Sequence, residues 1–154
     1  MNAEVGTRNA EVEATPAGGN DLLQRTRHFA LETIRLVEGL PRGRAAEVIG
    51  RQLLRAGTSV AANYRAARRA RSRREFVAKL GIVEEEADES LFWVELVAEA
   101  GLVRPEHVAP LRDEANQLVA ITVASIRTAR RRGAPVPRSA FHVPRSDPAV
   151  PRSS

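Results

Sequence analysis

From Leu22 to Ile126 the apolar residues recur every three or four positions, and the pattern is interrupted at only three places. That spacing is the period of one helix face, so a chain built this way is confined to packed amphipathic helices. The first interruption is Gly39-Leu40-Pro41-Arg42-Gly43, a proline between glycines. The second lies just before Ser72-Arg73-Arg74-Glu75, a Ser-x-x-Glu capping pattern. The third combines Gly101, suited to closing a helix, with Pro105, suited to starting the next.

Four helices follow. The first is expected from a cap at Asp21 to about Glu38, with Leu22, Phe29, Ala30, Thr33, Leu36 and Val37 on one side. The second covers about Arg44 to Arg69, its stripe formed by Ile49, Leu53, Ala56, Val60, Asn63 and Ala67. The third runs from Ser72 to about Ala100 and the fourth from Pro105 to about Arg132, the latter with Val108, Leu111, Ala115, Leu118, Val119, Thr122 and Ile126 inward. Short joins between amphipathic helices predict an all-α, up-down four-helix bundle over residues 21–132.

The flanking segments 1–20 and 133–154 lack this period. The second carries five prolines and repeated Pro-Arg-Ser, which predicts a disordered tail, with a basic interaction tail as the other reading. The absence of cysteine removes disulfides and thiolate chemistry, and no apolar run approaches the length of a membrane span. With a polar N-terminus as well, the expectation is a cytoplasmic protein without a membrane partner.

The third helix has more apolar surface than one bundle can cover. Phe76, Leu80, Val83, Ala87, Val94 and Val97 make one stripe, while Ile82, Phe92, Trp93 and Leu96 lie roughly opposite. A helix apolar on two faces is covered on two faces, which predicts a homo-oligomer using Ile82, Phe92, Trp93 and Leu96.

Charge is segregated along the chain. Between Glu47 and Glu75 there is no acid but there are eight arginines: Arg51, Arg55, Arg65, Arg68, Arg69, Arg71, Arg73 and Arg74. The following 25 residues carry eight acids against Lys79. Like-charge repulsion along an acid-free face is relieved when an anion binds there, and guanidinium forks fit phosphates. The other readings are an acidic protein partner and a merely solvated face. Tyr64 is the sole aromatic within the arginine run, so backbone contact without base stacking is expected. Asn63, at the edge of its stripe, is expected to fix register by a hydrogen bond to Glu89 or Ser90.

Catalytic chemistry finds no support. His28, His107 and His142 are scattered, and none has a glutamate three residues before it, as bundle metal sites require. The Glu84–Glu89 cluster spreads around a single helix, and no phosphate-binding glycine loop occurs. Neither enzyme activity, nor a metal, nor another cofactor is expected.

The segment from Arg51 to Val103 resembles the bacterial four-helix-bundle family that includes the 23S rRNA intervening-sequence proteins. The resemblance rests on Gln52, Arg55, Ala56, Ser59 and Asn63, then Ser72, Glu75 and Phe76, with Glu89 matching a glutamate of the long helix. It implies a barrel-like homopentamer and extends to the accessory variability proteins of diversity-generating retroelements, basic pentamers that bind nucleic acid and a reverse transcriptase. After Asn63 the chain departs from the commonest pattern, placing Tyr64-Arg65-Ala66-Ala67-Arg68-Arg69-Ala70 where many relatives carry an acid and a glycine. The expectation is therefore a non-enzymatic protein that binds RNA or DNA, or acts in a ribonucleoprotein, through the eight arginines. The alternative is a scaffold that docks an acidic protein, for example a reverse transcriptase.

Overall fold

The computed structural model describes residues 18–133, which form α1 (Gly18–Glu38), α2 (Arg44–Arg68), α3 (Arg73–Glu99) and α4 (Pro105–Gly133). The helices follow one another up and down, and among the described residues there is no strand. Most of the two expected tails lies outside the described residues.

Local chemistry explains most of the boundaries. Ser72 caps α3 by accepting the Glu75 N–H at 3.0 Å, and Glu75 Oε2 accepts the Arg71 N–H at 2.9 Å. The return arm of the capping box thus lands one residue upstream of the cap itself. At the other end of α3, Gly101 takes φ +71°. The Gly101 N–H reaches Ala98 O and the Leu102 N–H reaches Val97 O, the two bonds of a left-handed glycine stop. Pro105 opens α4 as expected. The start of α1 differs from expectation: the helix already includes Gly18, so Asp21 lies inside its first turn. There the carboxylate interacts with the positive helix end instead of capping it.

The buried stripes meet in one core of Phe29, Leu53, Val60, Leu80, Val83, Val94, Val97 and Leu118 with their neighbours. Four polar side chains are buried among them, and each donates to a carbonyl of its own helix: Thr26 to Leu23, Thr33 to Phe29, Ser90 to Glu86 and Thr122 to Leu118. Among the described residues no buried side-chain nitrogen or oxygen lacks a hydrogen bond, so the core carries no desolvation penalty from an orphaned group.

The α1–α2 contact is the tightest. A Cβ on Gly57 would stand 2.6 Å from both Cγ2 and Oγ1 of Thr33, and one on Gly50 would stand 3.2–3.3 Å from Leu40 and Val37. By contrast α1 meets α4 along a narrow seam. There Arg25 makes a fork to Glu114, Nε to Oε1 at 2.9 Å and Nη2 to Oε2 at 3.0 Å, and Nη2 also reaches Gln117. The Glu114 hydrogen bond holds the Arg25 pKa above its ordinary value.

Candidate nucleic-acid interface

The fold divides the eight arginines of the acid-free run into two sets. Arg51 lies 3.5 Å from Glu47, one turn upstream. Arg55 reaches across to α3, with Nη1 3.3 Å from Glu86 and Nη2 2.6 Å from Glu89. Arg71 lies 3.8 Å from Glu75. The expectation of an unneutralised face therefore fails at these three positions: antiparallel packing brings the acidic α3 alongside Arg55, while Arg51 and Arg71 meet acids four residues away that bound the run. Arg65, Arg68, Arg69, Arg73 and Arg74 are exposed and have no ion-pair partner among the described residues.

These five gather where α2 ends and α3 begins, and α4 ends at the same place. Arg73 shows the proximity directly: its Nη1 lies 2.7 Å from where a Cβ on Gly133 would stand. The last turn of α4 adds Arg130, Arg131 and Arg132. One pole of the bundle thus collects guanidinium groups from three helix ends. The carbonyl ends of α2 and α4 carry negative partial charge, which favours cations there without cancelling the outward positive field. Arg51 and Arg55 precede Arg68 by 17 and 13 residues, roughly 26 and 20 Å along the helix axis. They stand apart from the pole.

Arg130–Arg132 were legible in the sequence only as a favourable helix end. Nothing local announces that a helix closing about 60 residues later returns to the α2–α3 turn. The signal available was the up-down topology itself, which places alternate helix ends at the same pole.

Glu89 holds helices together, though with a different partner from the one expected. Asn63 Nδ2 donates to Ser59 O within α2 at 2.9 Å, and Ser90 donates to Glu86 O. Register between α2 and α3 is marked instead by Glu89, which accepts from Arg55 and from Trp93 Nε1 at 3.1 Å. Asn63 lies eight residues beyond Arg55, about 12 Å further along α2, so in the antiparallel pair it is Arg55 and not Asn63 that stands beside Glu89. The Arg55 hydrogen bond, then that from Trp93, lowers the Glu89 pKa. A carboxylate with a lowered native pKa stabilises the fold fully above its unfolded pKa, and that stabilisation is lost as pH falls through the native value. Acid unfolding followed by circular dichroism is therefore expected to lose part of its pH dependence below the ordinary glutamate range in Glu89→Gln. Arg55→Gln should remove much of the same part.

The α3 residues expected to face a neighbour lie on the outer side of the α2–α3 pair. Phe92 is 55 % exposed, Ile82 is exposed, and Trp93 and Leu96 are partly covered. The Phe92 and Trp93 rings meet edge-on at 4.9 Å. Val48, 54 % exposed, joins them. It lies two turns before Arg55, and Leu96 lies two turns after Glu89, so in an antiparallel pair linked by Arg55–Glu89 the two fall at the same height. A second exposed apolar spot is formed by Leu31 and Ile34 on α1.

Among the described residues no three His, Asp or Glu side chains are gathered as a metal site requires. His28 and His107 line the shallow groove of about 480 Å³ beside the α1–α4 seam, with Glu32, Arg35 and Glu114. No helix among the described residues is long and apolar enough to cross a membrane.

Fold and charge together define an all-helical bundle protein with a concentrated basic pole. The chain belongs to the 23S rRNA-intervening sequence protein family, whose profile matches residues 19–124. A crystal structure of a protein of unknown function from the S23 ribosomal protein family of Bacteroides thetaiotaomicron superposes with a TM-score of 0.66 at 28% identity. The match covers 71% of this chain and 97% of that one. No curated protein matches. Arg130–Arg132 lie beyond the span that the family profile matches.

Proposed function

We propose that this chain is a non-enzymatic, RNA-associated accessory protein that grips phosphate backbone with its basic pole and works as a cytoplasmic homo-oligomer. The observation that carries this reading is the meeting of three arginine-bearing helix ends, with Arg65, Arg68, Arg69, Arg73 and Arg74 lacking acidic partners among the described residues. Membership of an rRNA-associated family supports RNA over an acidic protein as the anion. Of the eight arginines read from the sequence, Arg51, Arg55 and Arg71 are assigned to internal ion pairs and the other five, joined by Arg130, Arg131 and Arg132, to phosphate.

Replacing Arg68, Arg69, Arg73 and Arg132 together by alanine should weaken binding of a labelled structured RNA roughly 100-fold at moderate salt, because each phosphate contact removed also forfeits counterion release. Arg51→Ala with Arg55→Ala should change it less than threefold. Equal losses in the two variants would contradict the pole. Tighter binding of an acidic protein such as a reverse transcriptase, with no RNA affinity, would favour the scaffold reading.

The oligomer is supported by the exposed apolar patches. A closed ring with an odd number of subunits needs two different patches that pair head to tail, whereas a twofold dimer needs one patch that pairs with itself. The α2–α3 patch around Phe92 and the α1 spot at Leu31 and Ile34 supply two. A pentamer of the kind implied by the resemblance fits that requirement.

A further inference from the structure

The basic pole is not uniformly polar. On its α4 side two shallow clefts, about 350 and 390 Å³, meet at Phe76 and Arg132. Phe76 lies in the first turn of α3 and is half-buried, packed at the margin of the core. Its surroundings at the pole are small: Ala67, Ala70 and Ala129 leave a recess beside the ring that larger side chains would fill. Arg68, Arg73 and Arg132 line the same recess, one from each of α2, α3 and α4.

An aromatic ring in an alanine-walled recess, lined by guanidinium groups from three helices, is a stacking surface with its counter-charges in place. The apolar recess gives a duplex backbone nothing to bind, since a duplex keeps its bases stacked inside. It suits a base that has left the stack, while the adjoining phosphates ride on the arginines. An acidic peptide with an aromatic residue is the nearest competitor, but it brings one charge per residue at most and no fixed alternation of ring and anion. We infer that the pole takes an unpaired nucleotide, its base seated against Phe76 and its flanking phosphates on Arg68, Arg73 and Arg132. The protein would then prefer single-stranded or bulged nucleic acid to duplex. The inference rests on the proposed phosphate-binding role of the pole and adds the class of ligand. It also differs from the expectation of backbone contact without stacking, because Phe76, just past the acid-free run, shares a recess with Arg68 of α2 and Arg132 of α4.

The test is fluorescence anisotropy of the full chain with a labelled unstructured dodecamer, as RNA and as DNA, and with a duplex of equal length at the same salt. An acidic, aromatic-containing peptide serves as a fourth ligand. The single strands should bind about tenfold more tightly than the duplex. Phe76→Leu keeps the apolar packing but removes the ring face. It should weaken the single strands about five- to tenfold, the low end of the range for one base–aromatic stack, and leave the duplex unchanged. Phe76→Tyr should retain the preference. A duplex bound as tightly as the single strands, an equal loss for both in Phe76→Leu, or Phe76-dependent binding of the peptide alone would overturn the inference. If the duplex still binds and depends on the pole arginines, the proposed function survives that failure; if no nucleic acid binds, both fall together.

Discussion

Replacing Gly57 by leucine is expected to unfold the bundle or leave it only loosely packed, whereas alanine at Gly81 is expected to stabilise it. The two glycines are both mid-helix, so they differ little in backbone cost. At Gly57 even a Cβ would overlap Thr33, with Cγ2 and Oγ1 at 2.6 Å and Cβ at 2.9 Å, while at Gly81 nothing lies within 4 Å. Thr33 cannot swing aside cheaply, since it is fully buried and its hydroxyl is bonded to Phe29 O at 2.8 Å. Overpacking of a tight core costs about 1–3 kcal/mol or more, against a helix-propensity gain of about 1 kcal/mol. Leucine adds three further carbons to that overlap, so the cost dominates. Urea unfolding should show Gly57→Ala less stable than the parent and Gly81→Ala more stable by about 0.5–1 kcal/mol. Thr33→Ala should recover part of the Gly57→Ala loss, a coupling that two independent sites would not show.

The second large effect is on mass. Phe92→Asp with Ile82→Asp should convert the proposed homo-oligomer to monomers while helicity stays near that of the parent, because neither side chain is buried in the subunit core. Leu31→Asp with Ile34→Asp should do the same if subunits pair head to tail. Mixing the two variants then gives a diagnostic result. Each retains one intact patch, and the two intact patches are complementary, so multi-angle light scattering should report a dimer and nothing larger. Leu31 and Ile34 replaceable without loss of mass, with the mixture holding homodimers of that variant beside monomers of the other, would instead indicate a twofold interface made by the α2–α3 patch alone.

The bundle was legible because its signals are local and mutually consistent. Ser72, Gly101 and Pro105 mark helix ends by backbone chemistry that depends on few residues, and the apolar stripes of α2 and α4 follow one period throughout. The 23S rRNA-intervening sequence resemblance was carried by the same region and agrees with the family profile. What the residues did not disclose depends on juxtaposition between helices. Asn63 reads as an interhelical polar contact by its place on the stripe, yet the antiparallel register sets Arg55 beside Glu89 and leaves Asn63 bonded within its own helix. Arg51 and Arg55 read as free cations because the acids that pair with them lie outside the run, one turn upstream or across on α3. Val48 lies opposite the core stripe of α2 and looks solvated until the antiparallel register brings Leu96 to its height. Phe76 reads as a core residue in the pattern, and only the small residues packed near it leave part of its ring open.

The proposed phosphate site thus lies elsewhere than the sequence alone places it. A face running the length of α2 becomes a pole built from three helix ends, with a smaller footprint and a higher charge density. Such a pole attracts polyanions at long range.

The most direct test of this account is the salt dependence of RNA binding by the parent protein and by the variant lacking Arg68, Arg69, Arg73 and Arg132. For the parent, log affinity should fall linearly with log salt at a slope that corresponds to several phosphate contacts, each contributing about 0.7–0.9. The variant should lose about three of those units of slope, and Arg51→Ala with Arg55→Ala should lose almost none. A shallow slope in the parent, or a steep one that the pole variant leaves intact, would contradict the basic pole as a phosphate-binding site.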